Sequence, residues 1–418
     1  MKIRYNRISR LRLRVHRALR EREAASEKME TAMRHAVIVE AVRTPIGRAH
    51  AEKGCFRDVR ADDLSADIMR ALLDRVPFPA NQVEDIHWGC VKQEREQGFN
   101  VARMAAIIAG FPVETPATTV NRLCGSSLQA LNQAAQSVMA GVDDVQIAGG
   151  VEHMHHNPME AGFDLSPRFQ FLNSIATQYM GVTAENLARK YKIGRREQDE
   201  FALRSHQKAA QATDAGAFKN EIIPTWGRDD EGRKVLITQD QCIRRDTSLE
   251  SLGALKPAFA PEIGSVTAGN SSPLNVGAAA LLVMSEERAK ELGLKPKVKV
   301  RAMAVAGVDP AVMGIGPVPA TQKALERAGL KLADIDLIEI NEAFAVQTLS
   351  VIKLLGANPE KVNVRGGAIA IGHPLGASGA RIAATLINTM LDKKAKFGLA
   401  TMCIGTGQGI ATIFESVG

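Results

Sequence analysis

The stretch Val120-Asn121-Arg122-Leu123-Cys124-Gly125-Ser126-Ser127-Leu128-Gln129-Ala130 joins two different patterns. Ala117 to Leu123 is a β-type run, and beyond it Leu128, Leu131, Ala134 and Val138 recur at helical spacing. Cys124 therefore falls where a strand turns into a helix. A thiol placed there meets the positive end of a helix dipole and unpaired backbone N–H groups. That setting lowers a thiol pKa and favours a nucleophile. A single cysteine is more often an inert small hydrophobe, so the assignment depends on the rest of the chain.

Composition bounds the answer. With 418 residues and 45% hydrophobic content the chain can bury an ample core in two or three domains. Aromatics are only 4% while glycines number 35, which suits tight helix–strand packing. No apolar run approaches the ~20 residues of a membrane span. The cysteines, Cys55, Cys90, Cys124, Cys242 and Cys403, are odd in number and never in CxxC spacing, so neither a disulfide framework nor a zinc site is expected. The formal charge of +7 sits wholly in residues 1–35, where eleven Lys/Arg outnumber four Glu. The body is near neutral, which removes the case for nucleic-acid binding. Residues 1–35 read as a presequence, a basic arm, or sequence upstream of a start at Met29 or Met33. The abrupt onset of patterned sequence at Ala36 favours the last, and the extension is expected to be poorly ordered.

Strands and helices then alternate, which argues for α/β layers. Ala36 to Ala41 reads as a buried strand and Arg43 to Gly47 as a loop. Asp63 is expected to cap a helix running to about Leu73. Val83 to Gly89 is a strand, Asn100 to Gly110 a helix, and Asp144 to Glu152 a strand ending in a Gly pair. From Met154 to Asn270 the texture shifts to helix and loop, with helices at 180–190 and 196–213. Basic residues collect there, among them Arg195, Arg196, Arg204, Lys208, Arg228, Arg233, Arg244 and Arg245. They are either a solvated face or a rim for a polyanionic ligand. Gly277 to Met284 resumes the strand pattern. Pro319 to Ala328 and Ala333 to Ile340 form a helix and strand like those at 64–73 and 84–88, which reads as an internal duplication.

Three further clusters carry chemistry. Asn341-Glu342-Ala343-Phe344 follows a buried strand, where α/β folds place their sites, although a helix cap would look similar. Gly366, Gly367, Gly372, Gly376 and Gly379 surround one histidine, His373, itself followed by Pro374. A histidine in that setting suits general-base work. Cys403-Ile404-Gly405-Thr406-Gly407 places a second thiol in a glycine-rich turn between two strands. Two cysteines, a histidine and an asparagine in such turns point to acyl transfer through a thioester.

Together these four stretches closely resemble the thiolase family, over the chain from about Ala36 to its end. The fold implied is α/β, a duplicated five-layer α-β-α-β-α thiolase-like fold with an inserted loop domain. Residues 36–153 and 271–290 would form the N-terminal half, 154–270 the loop domain over CoA, and 291–418 the C-terminal half. Gly98-Phe99-Asn100, Met313 to Pro319 and Leu399 to Met402 most resemble the degradative branch acting on 3-ketoacyl-CoA, the β subunit of the bacterial fatty acid oxidation complex. The resemblance implies Cys124 as acyl-thioester nucleophile, His373 as general base and oxyanion contact, and Cys403 as general acid/base. It also implies Asn341 as holder of a water at the oxyanion, and Gly405 as a backbone oxyanion donor. Tyr179, Met180 and Ser272 would contact the pantetheine arm.

The same resemblance implies 3-ketoacyl-CoA and CoA as substrates, with no cofactor. It implies a homodimer, an α2β2 complex with a hydratase/3-hydroxyacyl-CoA dehydrogenase α subunit, and a bacterial cytoplasmic location (mitochondrial only with a true presequence). Tyr179 replaces a histidine usual in short-chain biosynthetic members and argues for longer acyl chains. Val276 stands where the family usually has Asp, a change expected to weaken a turn hydrogen bond, and Ala377 replaces a frequent cysteine. Other readings are a biosynthetic acetoacetyl-CoA thiolase, a non-catalytic thiolase-like lipid carrier, and a ketoacyl synthase. Intact Cys124, His373, Asn341 and Cys403 oppose the carrier. A synthase would bring two histidines, and only His373 has a glycine-rich setting.

Overall fold

This computed structural model describes residues 34–159, 162, 164, 166–172 and 179–417. The expectation about the basic extension, residues 1–35, falls outside them except for Arg34 and His35. At the first described residue, Arg34 already pairs with Asp144.

The strands are β1 (Ala36–Arg43), β2 (Gly47–Arg48), β3 (Asp85–Gly89), β4 (Thr118–Val120), β5 (Val145–His153), β6 (Thr225–Arg228), β7 (Lys234–Ile237), β8 (Asn275–Ser285), β9 (Val298–Gly307), β10 (Leu337–Ile340), β11 (Phe397–Ile404) and β12 (Gln408–Ser416). The helices are α1 (Ala61–Arg75), α2 (Val101–Ile108), α3 (Ser126–Ala140), α4 (Pro167–Leu172), α5 (Met180–Tyr191), α6 (Arg195–Asp214), α7 (Leu249–Gly253), α8 (Glu286–Glu291), α9 (Pro317–Ala328), α10 (Ala345–Leu355) and α11 (Ser378–Lys393).

The main sheet runs β10-β11-β12-β9-β1-β8-β5-β3-β4. From its centre outward, each half shows the same order of its own strands: first, fifth, fourth, second. The third strand of the first half is β4. In the second half a single parallel bridge, Ile338 to Val362, stands in its place. This repeated order supports the duplication read from the sequence. The halves join where β1 meets β9 through Val37–Lys299 and Ile38–Val298.

Side-chain parity explains the layering. Along β1, Val37, Val39 and Val42 enter one core, while Ala36, Ile38 and Ala41 enter another. The parity flips at a bulge between Ile38 and Glu40. The first core packs α1 and α2 on the outer face of the N-terminal half. The second is shared by α3 and α11 between the half-sheets. A third packs α9 and α10 outside the C-terminal half. The result is five layers, α-β-α-β-α. Strand β8 is buried at every position, as expected for a strand covered on both faces. Each fully buried Val, Leu or Ile contributes roughly 1.5–3 kcal/mol.

Three expectations change. Asp63 lies inside the first turn of α1, whose N-cap is Arg60 without a side-chain cap. The strand expected from Ala333 begins only at Leu337, because Leu332–Asp334 forms a 3-10 turn. Val276 is no turn residue; it is buried in β8, paired with Gly47 and His153. A valine there fills core, and no turn hydrogen bond is lost.

Between β5 and β8 lie α4 to α7 and the β6–β7 hairpin. A buried ionic cluster ties this segment to the core. Arg43 bonds Glu221 at 2.6 Å and grips Asp240 at 2.7 and 2.9 Å. Thr385 of α11 donates to the same Glu221 at 2.8 Å.

The middle layer is tightest where α3 and α11 cross. A Cβ at Gly379 would collide with the backbone of Leu128. In an uncrowded helix Gly→Ala stabilises by up to about 1 kcal/mol. Here Gly379→Ala should instead destabilise by roughly 1–3 kcal/mol. Calorimetry decides the sign, and a melting temperature equal to or above wild type would show that the crossing is not close-packed.

Candidate active site

The nucleophile turn is wound by its own polar side chains. Asn121 Oδ1 accepts the Leu123 N–H at 2.9 Å, and its Nδ2 donates to the Val91 carbonyl at 3.0 Å. Ser126 Oγ accepts the Arg122 N–H at 3.0 Å and donates to the Leu123 carbonyl at 2.6 Å. Leu123 is held at φ +46°, a left-handed conformation costing about 1–3 kcal/mol for a non-glycine residue. Cys124 follows, half-buried, two residues ahead of α3.

The C-terminal half supplies the remaining groups. Cys403 lies at the end of β11, and the turn Gly405–Gly407 leads into β12. Arg122 Nη1 donates to Gln408 Oε1 at 3.0 Å, which links this hairpin to the nucleophile turn. The Gly405 N–H is hydrogen-bonded to the Cys124 thiol, and the two thiols interact electrostatically. Cys403 itself is buried among Ala343, Phe344, Val346 and Leu187. Met180 closes over Gly405, where a Cβ would lie 3.5 Å from its Sδ.

His373 is almost fully buried and held on three sides. Its N–H donates to Asn275 Oδ1 at 2.8 Å, and its Nδ1 lies 2.6 Å from Ser378 Oγ. Ser378 Oγ also reaches the Pro374 carbonyl at 2.9 Å. The tautomer is assigned with the hydroxyl proton on that carbonyl, so that Ser378 accepts from His373 Nδ1–H and Nε2 is the basic nitrogen. Asn341 Nδ2 lies 3.4 Å from the ring. Its Oδ1 accepts from Arg381 Nη2 at 3.4 Å. Arginine only donates, so the amide orientation is also assigned.

Burial decides the protonation states. It pushes the Cys124 thiol up to about 11, against hydrogen bonds from the Gly405 and Cys124 N–H groups. The helix-terminus argument expected a lowered value. Loss of water around the sulfur outweighs those N–H groups, so the expectation fails. Cys403 is pushed up as well, first by burial and then by the Cys124 charge. Burial, and after it the Arg381 charge, push His373 down to about 3. The resting site is thus two neutral thiols and a neutral imidazole.

Two buried carboxylates shape the loops. Glu152 accepts from the N–H groups of Val91, Lys92 and Gly376 and from Gln97 Nε2. Glu342 accepts from Ser205, Asn363 and the Ile369 N–H. The motif around Asn341 is therefore a split pair: Asn341 faces His373 while Glu342 holds the glycine-rich loop. It caps no helix, since α10 begins after Phe344. Sequence reasoning missed Asn275, Ser378 and Arg381. Ser378 and Arg381 carried a signal, a polar pair three residues apart in the first turn of α11.

Tyr179 is exposed at the N-cap of α5, and Ser272 donates its N–H to the Ala343 carbonyl at 3.0 Å. Neither has a recorded bond to the catalytic groups. The basic rim is largely spent on internal pairs. Arg195 bonds Asp199, Arg196 Glu200, Arg228 Asp58, Arg233 Asp229 and Arg245 Asp214. Arg244 instead lines a cleft with Arg48, His206, Cys242, Thr247 and Ser271. Glu96, His153 and His156 lie near enough to share an ion. However, the two imidazoles stack at 3.7 Å and 14°, so their in-plane lone pairs run parallel rather than converging. His153 bonds Phe56 O and the His156 N–H, and His156 bonds Arg57 O and Glu96. The cluster is a latch between loops.

Residues 36–287 match the family model for the thiolase N-terminal domain, and residues 294–416 that for the thiolase C-terminal domain. The chain belongs to the thiolase family. This thiolase is 58% identical over 389 residues to a 3-ketoacyl-CoA thiolase of Pectobacterium carotovorum, spanning 92% of this chain and all of the relative. The 3-ketoacyl-CoA thiolase of Salmonella typhimurium is 57% identical with the same coverage. The solved structure of human mitochondrial 3-ketoacyl-CoA thiolase superposes with a TM-score of 0.85 at 39% identity, covering 92% of this chain and 99% of its own. Bacillus anthracis acetyl-CoA acetyltransferase gives 0.84 at 40% identity with the same coverage.

Because the resting thiolase pairs a protonated thiol with a neutral imidazole, alkylation of Cys124 by iodoacetamide should quicken steadily from pH 6 to 9. Mass spectrometry of the alkylated peptide follows it. A rate already at its plateau by pH 6 would mean a resting thiolate–imidazolium pair and would overturn this protonation scheme.

Proposed function

We propose that this thiolase is a degradative 3-ketoacyl-CoA thiolase, an acetyl-CoA C-acyltransferase working without cofactor or metal. It cleaves 3-ketoacyl-CoA with CoA to acetyl-CoA and an acyl-CoA shortened by two carbons. The observations that carry the reading are the Cys124 thiol against the Gly405 N–H and beside Cys403, brought together from two different halves, and the buried His373–Asn341 pair. The names of the bacterial relatives support the substrate.

His373 Nε2 takes the proton of Cys124 as the sulfur attacks the 3-keto carbon. The oxyanion is met by the N–H groups of Cys124 and Gly405. The C2–C3 bond then breaks, leaving acyl-Cys124 and the enolate of acetyl-CoA. His373 and a water held by Asn341 stabilise the enolate oxygen. Cys403, protonated at rest because its thiol is buried, gives its proton to the carbanion. The Cys403 thiolate next takes the proton of CoA, whose sulfur attacks acyl-Cys124 and frees the nucleophile. The segment 154–270 covers CoA, with Tyr179, Met180 and Ser272 along the pantetheine arm and Arg244 at the phosphates.

The working form is a homodimer. Strand β4 ends the sheet with an unpaired edge. Beside it Phe99 is 100% exposed, and Met104, Ile107 and Val113 also face solvent. Such an edge invites a second strand, and a second copy supplies a matching one. An α subunit with hydratase and dehydrogenase activities would complete an α2β2 complex in the bacterial cytoplasm. No helix among the described residues is long and apolar enough to cross a membrane.

Thiolysis rates for 3-ketoacyl-CoA substrates of four to sixteen carbons, for wild type and Cys403→Ala, test the reaction. Wild type should act well beyond four carbons. Cys403→Ala should form acyl-Cys124 yet turn over about 10²–10⁴-fold more slowly, the usual worth of a general acid/base. Activity confined to acetoacetyl-CoA would favour the biosynthetic reading, and unchanged turnover would remove the role of Cys403.

Sedimentation velocity tests the dimer. Phe99→Glu should shift the protein toward monomer at micromolar concentration, and a wild-type chain that runs as a monomer would sink the edge-to-edge assembly.

A further inference from the structure

Behind the His373–Asn341 pair lies Arg381, fully buried in the first turn of α11. Ser378 and Arg381 sit three residues apart and so share a helix face. Ser378 holds His373 at Nδ1, and Arg381 Nη2 lies 3.4 Å from Asn341 Oδ1. One helix turn thus supports both polar groups of the site.

Arg381 is not saturated as a structural arginine would be. Arg43, equally buried, makes three bonds of 2.6 to 2.9 Å to two carboxylates. The nearest carboxylate to Arg381 is Glu339, 3.9 Å away. The Nε and Nη1 of Arg381 and the Oε2 of Glu339 find no hydrogen-bond partner. Glu339 lies two residues before Asn341 at the end of β10, yet it stays back from the guanidinium. A positive charge left this poorly balanced faces the Asn341 carboxamide.

We propose that Arg381 is the positioning residue of this site, holding the Asn341 carboxamide with its oxygen turned inward and its NH2 turned to His373 and the reacting oxygen. The proposal rests on the thiolase reaction above. It explains why Asn341 presents only donor hydrogens to the site. A free carboxamide could turn its oxygen toward the enolate and repel it. The guanidinium also polarises the amide, which strengthens Nδ2–H as a donor.

The same charge bears on His373. Groups packed around the set are Glu339 and Glu342 beside β10, Arg43 of β1, and Glu221 and Asp240 of the inserted segment. Arg365 precedes the glycine-rich loop, Glu152 ends β5, and the thiols are Cys124 and Cys403. Of these, Arg381 is the one whose charge pushes the imidazole down, adding to burial. Burial pushes Glu339 up to about 8, with Arg381 opposing, so Glu339 is largely neutral at pH 7 and does not cancel the guanidinium. The sign follows. With Arg381 present, His373 stays a base to well below pH 6; without it, His373 takes up a proton at higher pH and activity is lost there.

The test is the pH profile of thiolysis for wild type, Arg381→Lys, and Arg381→Met combined with Glu339→Gln, which removes the guanidinium together with the carboxyl it faces. The double variant should lose about tenfold or more in kcat with KM within about threefold, and the acid limb of its kcat/KM profile should move up by about one pH unit. Arg381→Lys keeps the charge but not the reach, so its acid limb should stay while kcat falls. A folded double variant with an unmoved acid limb, or wild-type kcat in either variant, overturns the proposal. Should the double variant not fold, the kcat of Arg381→Lys decides alone. Failure of wild type itself to thiolyse any 3-ketoacyl-CoA would instead overturn the reaction, a distinct outcome.

Discussion

The site exists because two helix N-termini, one from each half of the chain, are pressed together in the middle layer. At the crossing, Gly379 of α11 leaves room for the backbone of Leu128 in α3. The Ala380 N–H donates to Ser127 Oγ at 2.9 Å. Just upstream, the Gly376 N–H is held by Glu152 at 2.9 Å, and Glu152 simultaneously holds the loop after β3. A buried carboxylate is costly unless its lone pairs are filled. Four donors fill those of Glu152, and in doing so they tie the loop after β3, which Asn121 of the nucleophile turn also holds, to the loop that carries His373.

Dryness is the second requirement, and it works against the simplest idea of a reactive cysteine. Burial raises both thiols and lowers the imidazole, so the groups rest uncharged. For a reaction whose proton transfers run between sulfur, nitrogen and carbon, that is useful. No ion pair has to be broken before the substrate arrives, and charge develops only beside the N–H groups placed to meet it. The inserted segment maintains this dryness, and Arg43 fastens it. Removing one partner from a buried pair like Arg43–Asp240 typically costs about 3–5 kcal/mol. The loss would loosen the covering segment as well as β1.

What could be read in the sequence was whatever is local. The strand–turn–helix around Cys124, the glycines around His373 and the turn after Cys403 each announce themselves within a dozen residues. The same is true of the layers, because β8 is apolar throughout from Val276 to Met284 and β1 is apolar but for Glu40 and Arg43. What stayed hidden is non-local. The direction of the Cys124 shift depends on how much water the other half excludes. Asn275 meets His373 only in the fold, across 98 residues of chain, whereas Ser378 lies a single turn further on and was missed although local. Asp63 resembled a cap because acids favour first turns, and it occupies that turn, but Arg60 ends the preceding extended segment.

The duplication shows how chemistry was divided between equivalent positions. In the first half, Gly89 pairs with Gly150; in the second, Ile340 pairs with Thr401. These pairs close the corresponding strands, β3 with β5 and β10 with β11. One step on, Cys90 corresponds to Asn341. Two residues beyond Gly150 and Thr401, Glu152 corresponds to Cys403. All four lie at or beside strand ends. Cys90 and Glu152 are bonded to Gln97 and to backbone N–H groups, and they hold loops. Asn341 and Cys403 instead face His373 and Cys124. Equivalent positions therefore serve architecture in one half and proton handling in the other. A symmetric dimer of half-chains would have to use each position for both tasks, and a residue tied down by three or four loop hydrogen bonds has no lone pair or proton to offer a substrate. Joining two copies in one chain removes that conflict.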